Sequence, residues 1–214
     1  PGRTFGYRSP APPSAPPRPR YTLSSCGIVC PLPWPGALRL ESLSDACPSD
    51  SKTKNKVWWG DINRPFDEIL FSKIEDKLSK YLSGKNLFVR DCSACASINS
   101  QIKIRTICEL PWNDLFVHNM FLRNSLVGKQ VDWTIICAPN FVGDPVELGT
   151  DNDNFSIINF SKKRILIGGT AYTGEIKKGI FSVLNFSLPV NENILPMHCS
   201  ANTSEKGETS IFFG

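Results

Sequence analysis

No apolar run in these 214 residues approaches the roughly 18–20 residues that a membrane-spanning helix needs. No internal repeat is present, and neither sign of charge dominates: 24 basic residues face 20 acidic ones, a net charge of +4. Lysine and arginine do not form a stripe interleaved with aromatics, so the footprint of a nucleic-acid surface is missing and no such partner is expected. The opening residues form neither the apolar core of a signal peptide nor an acid-free amphipathic helix. No membrane association is expected, and the expected compartment is the cytoplasm.

The eight cysteines lack the spacing of a zinc site or a disulfide framework. Cys92 and Cys95 form a C-x-x-C with no second pair, and Cys26 and Cys30 are no better placed. Cys108 and Cys137 sit inside apolar, strand-like runs, where a free cysteine behaves as a small hydrophobe. Reduced thiols are the expectation.

What is present is ordinary for a globular domain: 41% hydrophobic and 21% charged residues, enough for one substantial core. Composition shifts near residue 50. Eleven of the 17 prolines fall within Pro1–Pro48, as does the run Pro10-Ala-Pro-Pro-Ser-Ala-Pro-Pro-Arg-Pro. Proline cannot donate to a ladder and disfavours helix at the residue before it, so residues 1–50 are expected to be disordered or foreign to the fold. That segment also carries five arginines against three acids, about half the surplus charge. Its P-x-x-P spacing alone gives little support for an adaptor role.

Beyond residue 50 the periodicities alternate. Asp61-Ile-Asn-Arg-Pro-Phe reads as a turn, with Pro65 near the first helical position. Phe66, Ile69, Leu70, Ile74, Leu78, Tyr81 and Leu82 then recur at helical spacing up to Gly84. A second helix is predicted over Pro111–Arg123 and a third over Thr173–Leu188. Strands are predicted at Leu87–Arg90, Ile102–Cys108, Trp133–Cys137, Phe155–Phe160, Arg164–Ile167, Leu195–Ser200 and Thr209–Phe213. Strands and helices mixed at short spacing indicate an α/β domain with a mixed sheet.

Several segments in order resemble the ATP-utilising phosphoenolpyruvate carboxykinases. They are Val57-Trp-Trp-Gly-Asp-Ile-Asn, Tyr81-Leu-Ser-Gly-Lys-Asn-Leu-Phe-Val-Arg-Asp and Trp112-Asn-Asp-Leu-Phe-Val-His-Asn-Met-Phe-Leu-Arg. Ile167-Gly-Gly-Thr-Ala-Tyr-Thr-Gly-Glu-Ile-Lys-Lys-Gly-Ile-Phe-Ser and Leu195-Pro-Met-His-Cys-Ser-Ala-Asn follow, and Ile211-Phe-Phe-Gly closes the series. The resemblance implies an α/β, mixed-sheet N-terminal domain of the carboxykinase type over residues 51–193. Residues 194–214 would supply only the first strands of a C-terminal nucleotide-binding domain.

The implied activity is ATP-dependent conversion of oxaloacetate to phosphoenolpyruvate, ADP and CO2, a step of gluconeogenesis. The implied cofactors are a catalytic Mn2+ and an Mg2+ that travels with ATP. By the same resemblance, Lys178 and His198 are metal ligands and Tyr172 contacts substrate. Lys177 lies beside the phosphoryl path, and Gly214 is the first glycine of a G-x-x-x-x-G-K-T phosphate loop. Decarboxylation leaves an enolate, which a metal and ammonium groups stabilise as its charge develops. Its oxygen then attacks the γ-phosphate.

Taken without the resemblance, Glu175-Ile-Lys-Lys reads as a solvated helix face, His198 as a core histidine and Tyr172 as a turn aromatic. His118, on the predicted Trp112–Arg123 helix, is given no role. Two departures stand out. The rest of the phosphate loop does not follow Gly214, and Gly36–Ser44 occupies the place of a Thr-Gly-Arg-Ser-Pro-Lys-Asp stretch whose arginine grips substrate. Arg8 does not take over that role. The chain by itself is therefore expected to be inactive, and a non-catalytic remnant or interaction protein that retains the fold is the alternative.

Overall fold

A computed structural model describes residues 44–47, 51–57, 59–60, 63–123 and 130–213. Its centre is a mixed sheet of seven strands: β1 (Ser44–Cys47), β2 (Asn63–Pro65), β3 (Phe88–Ala94), β4 (Ile102–Cys108), β5 (Trp133–Ala138), β6 (Phe155–Asn159) and β7 (Arg164–Gly168). Their spatial order is β2-β1-β6-β7-β5-β4-β3. β4, β5 and β7 run parallel to one another, β3 and β6 run against them, and β1 and β2 run parallel to β6. The α/β mixed-sheet expectation is met.

Among the described residues, five α-helices accompany the sheet: α1 (Ser51–Lys56), α2 (Glu68–Leu82), α3 (Pro111–Met120), α4 (Pro145–Leu148) and α5 (Gly174–Ser187). Strand alternation divides the apolar residues between two cores. Ile135 and Cys137 of β5 point to one face, where Val117 of α3 and Ile176, Ile180 and Leu184 of α5 cover them. Ile136 and Ala138 point to the other, under Phe71, Ile74 and Leu78 of α2 and Leu148 of α4. A sheet covered on both faces needs near-continuous apolar strands, and β6 and β7 supply them as Phe-Ser-Ile-Ile-Asn and Arg-Ile-Leu-Ile-Gly.

Several boundaries differ from the sequence reading. Ser44–Cys47, inside the segment expected to lie outside the fold, pairs with both β2 and β6; residues 1–43 lie outside the described residues. Pro65 ends strand β2 instead of starting the helix. β2 is an edge strand, where a missing N–H costs nothing on the open side. The helix starts three residues later because the Asp67 carboxylate accepts from Ile69 N and Leu70 N at 2.8 and 2.9 Å. α3 begins at Pro111 as expected but stops at Met120. Leu122 exchanges backbone hydrogen bonds with Ser93 on the edge of β3, which draws the chain into extended form.

Leu195–Cys199 carries no strand. β8 begins at Ser200 and runs to Thr203, pairing with β9 (Thr209–Phe212) across a turn in which Gly207 has φ +85°. Among the described strands, β8 and β9 pair only with each other. Among the described residues, no helix is long and apolar enough to cross a membrane.

Candidate functional site

β7 ends at Gly168, and the chain turns at Gly169 on its way to α5. Gly169 adopts φ +70°, and a Cβ on it would lie 2.3 Å from the Asp153 carbonyl oxygen. Only glycine suits a left-handed position this close to another backbone. Thr170 Oγ1 then accepts from Tyr172 N at 3.1 Å. Gly174, the first residue of α5, leaves room for the Tyr172 ring, which a Cβ there would meet at 2.3–2.5 Å.

Tyr172 is thus held against the start of α5 while its ring stays largely exposed. The Lys178 ammonium stands 5.1 Å from the ring centroid, within range of an attraction between the cation and the π face. The same ammonium is 3.9 Å from Glu175 Oε1, one helical turn back. Lys177, its neighbour, is rotated about 100° around the helix axis and lines a cavity below the β8–β9 hairpin.

After α5 a π-helical turn, Leu188–Glu192, and residues 193–199, which form neither helix nor strand, carry the chain back to the helix at Phe181. This return sets the His198 imidazole on the Phe181 ring, with centroids 5.5 Å apart and planes at 64°. Phe181 follows Lys178 by three residues, about 4.5 Å along the axis. Tyr172 and Lys178 are therefore in direct apposition, and His198 sits beside the next turn of the same helix. Lys177 is on a different flank, and Gly214 lies outside the described residues. His118, given no role, has an arginine at each ring nitrogen: Arg90 Nη1 at 3.2 Å from Nδ1 and Arg123 Nη1 at 3.2 Å from Nε2.

The donor chemistry gives a partial fit to a divalent metal. An exposed imidazole and a lysine amine are two nitrogen ligands, and the amine binds only after losing a proton. Among the described residues no group of three His, Cys, Asp or Glu could hold an ion, so water and substrate oxygens would have to complete the shell. The cysteines are not part of it. Among the described residues, Cys92, Cys95, Cys108, Cys137 and Cys199 form no disulfide, and burial pushes the Cys92 thiol up to about 12.

Sequence reasoning missed Phe181 as the platform for His198, the proximity of Glu175 to Lys178 and the close approach that Gly174 permits. The spacing of Glu175, Lys178 and Phe181 at i, i+3 and i+6 carried the first two. The third depends on the turn before the helix and has no local signal.

Fold and site together define an α/β protein with a Gly-Gly turn leading into a helix that carries adjacent lysines. The model of the family described as phosphoenolpyruvate carboxykinase matches residues 47–214, and the chain belongs to that family. It is 55% identical over 168 residues to the phosphoenolpyruvate carboxykinase (ATP) of Christiangramia forsetii and 52% identical to that of Flavobacterium johnsoniae. It is 45% identical to the enzyme of the same name from Amoebophilus asiaticus. Each match covers 77% of this chain and 32% of the relative. The chain therefore spans about a third of the length of the curated relatives it matches.

Proposed function

We propose that this chain forms part of an ATP-dependent carboxykinase that decarboxylates oxaloacetate and phosphorylates the resulting enolate, giving phosphoenolpyruvate, ADP and CO2. The observation that carries the reading is the apposition of Tyr172 and Lys178, with His198 one turn further along α5, in a chain of this family. Lys178 and His198 would hold Mn2+, and a second ion, Mg2+, would enter with ATP. The bound Mn2+ supplies positive charge at the developing enolate oxygen. Tyr172, exposed at the mouth of the turn, presents its ring and hydroxyl to substrate.

The separate pairing of β8 with β9 supports reading residues 194–214 as the start of a second, nucleotide-binding unit, with 51–193 as the body of the first. Gly214 would open its phosphate loop. Free, buried thiols suit a reducing compartment such as the cytoplasm.

The test is Mn2+ titration of the isotope-labelled chain by NMR. Paramagnetic broadening should appear first at the His198 imidazole and the Lys178 side chain. His198→Asn and Lys178→Met should each weaken binding on the order of 10–100-fold or more. Broadening that spares both residues would overturn the assignment and favour a non-catalytic remnant of the fold.

A further inference from the structure

We propose that the open-sided cavity between α5, the end of β3 and the β8–β9 hairpin is a ligand site for a small organic monoanion with an apolar body, of the medium-chain monocarboxylate class. The cavity has a volume of about 440 Å³, within the roughly 300–1,000 Å³ typical of small-molecule sites. Its walls are largely apolar, with Ile180 and Leu184 from α5, Met197 from the return segment and Ile211 from β9.

Polar side chains interrupt that apolar surface at Lys177, Ser97, Ser100 and Thr209, and the fully buried Ser93 lies against it. Lys177 is the single charged side chain in the lining, and it makes no ion pair or hydrogen bond with any described residue. Ser93, at the end of β3, is fully buried with a hydroxyl that has no hydrogen-bond partner. An unpaired ammonium against apolar walls is unfavourable until an opposite charge meets it, and a buried hydroxyl without a partner is unfavourable for the same reason.

These features select one ligand chemistry. A neutral apolar molecule would leave Lys177 unanswered. A compact polyanion would meet one cation and strip water from its remaining charges against hydrocarbon. A single carboxylate on an aliphatic body matches both the lone cation and the apolar walls. The site is separate from the metal site proposed above, because Lys177 and Lys178 leave the helix about 100° apart. The two communicate through Phe181, which lines the cavity and makes an edge-type ring contact with His198.

The probe is octanoate, titrated into the whole 214-residue chain and followed by methyl and imidazole NMR signals, with 1-octanol and acetate as comparisons. Saturable shifts are expected at Met197, Ile180 and Ile211, together with a shift of His198. Octanoate should bind at least tenfold more tightly than 1-octanol or acetate. Lys177→Met should remove that preference and leave 1-octanol binding unchanged, while Lys178→Met, which disables the proposed metal site, should leave octanoate binding intact. Circular dichroism checks that each variant is folded, and Lys177→Gln provides a second test if Lys177→Met is not. Absence of saturable shifts, equal binding of octanoate and 1-octanol, or octanoate binding indifferent to loss of Lys177 would overturn the proposal. None of these outcomes depends on Mn2+, so this proposal and the carboxykinase reading fail separately.

Discussion

The Lys178 ammonium rests 5.1 Å from the centre of the Tyr172 ring, so a residue of the turn and a residue of the helix fix one another's position. At a partly exposed site such a contact contributes about 0.5–1 kcal/mol, which is small for stability but enough to bias a long side chain. Tyr172→Phe keeps the ring and should keep the ring-current shift of the Lys178 side-chain protons. Tyr172→Leu should abolish that shift and change the unfolding free energy by less than about 1 kcal/mol. An unchanged Lys178 spectrum in the leucine variant would show that the ring does not position the ammonium.

Gly169→Ala should be far more damaging. The added Cβ would stand 2.3 Å from the Asp153 carbonyl oxygen and 2.9 Å from Asn154 Cα, at a residue with φ +70°. All three nearest atoms are backbone of Asp153 and Asn154, so no side chain can swing away to relieve the conflict. A loss of about 2 kcal/mol or more is expected in urea unfolding, combining left-handed strain with the clash. By contrast Gly84→Ala, also at positive φ but with nothing within 4 Å, should cost only about 1 kcal/mol.

The difference between those glycines marks what the sequence could convey. Periodicity located β4 and α2, each buried mainly on one face, while unbroken or dense apolar runs located β5 and α5. Edge and short elements escaped: β2 holds a proline that reads as a turn, and β1 lies in a proline-rich region that reads as unstructured. The four-residue α4 is too short to show a period. For the proposed site, only the resemblance to the family singled out Tyr172, Lys178 and His198, since their residue types and spacing alone read as a turn aromatic, a solvated helix face and a core histidine. The edge contact of His198 with Phe181 depends on how the chain returns to α5, which no local pattern encodes.

Glu109 ties three elements together. Its carboxylate accepts from Tyr81 Oη at 2.7 Å, Lys85 Nζ at 2.8 Å and Asn140 N at 3.0 Å, joining the end of α2 to the chain just beyond β4 and β5. Burial alone would push this carboxyl up, but the bonds from Lys85, Tyr81 and the Asn140 amide outweigh it and hold the group below its ordinary 4.5. A carboxylate with a depressed value stabilises the fold above its unfolded value, and that contribution is lost as the pH falls below 4.5. Glu109→Gln should cost about 1–3 kcal/mol at neutral pH, with a weaker acid dependence than wild type. Parallel stability curves for the two proteins below pH 4.5 would rule out Glu109 as a source of the acid sensitivity.

The buried thiols set the alkaline limit. Cys92 lies in the core with 1% of its surface exposed, and burial, helped by the neighbouring Asp91 charge, pushes its thiol up from 9.0 to about 12. Cys137 is displaced in the same direction, by its hydrogen bond with Cys108 and then by burial. Cys108 and Cys137 face each other in register across β4 and β5. A thiol raised in the fold binds its proton more tightly folded than unfolded. Its contribution is complete below the unfolded value, and it is lost as the pH climbs from 9.0 towards about 12. For Cys92 alone the loss should approach about 1.4 kcal/mol per pH unit inside that window. Since the thiolate is the reactive form, iodoacetamide at mildly alkaline pH should modify the half-buried Cys95 and Cys199 in the native chain. Cys92 and Cys137 should remain unmodified until urea unfolds the protein. Peptide mapping after timed alkylation reads the order directly. Labelling of Cys92 as fast as Cys199 in the native state would mean that the β3 edge of the sheet opens readily, and that this thiol is not held in the core.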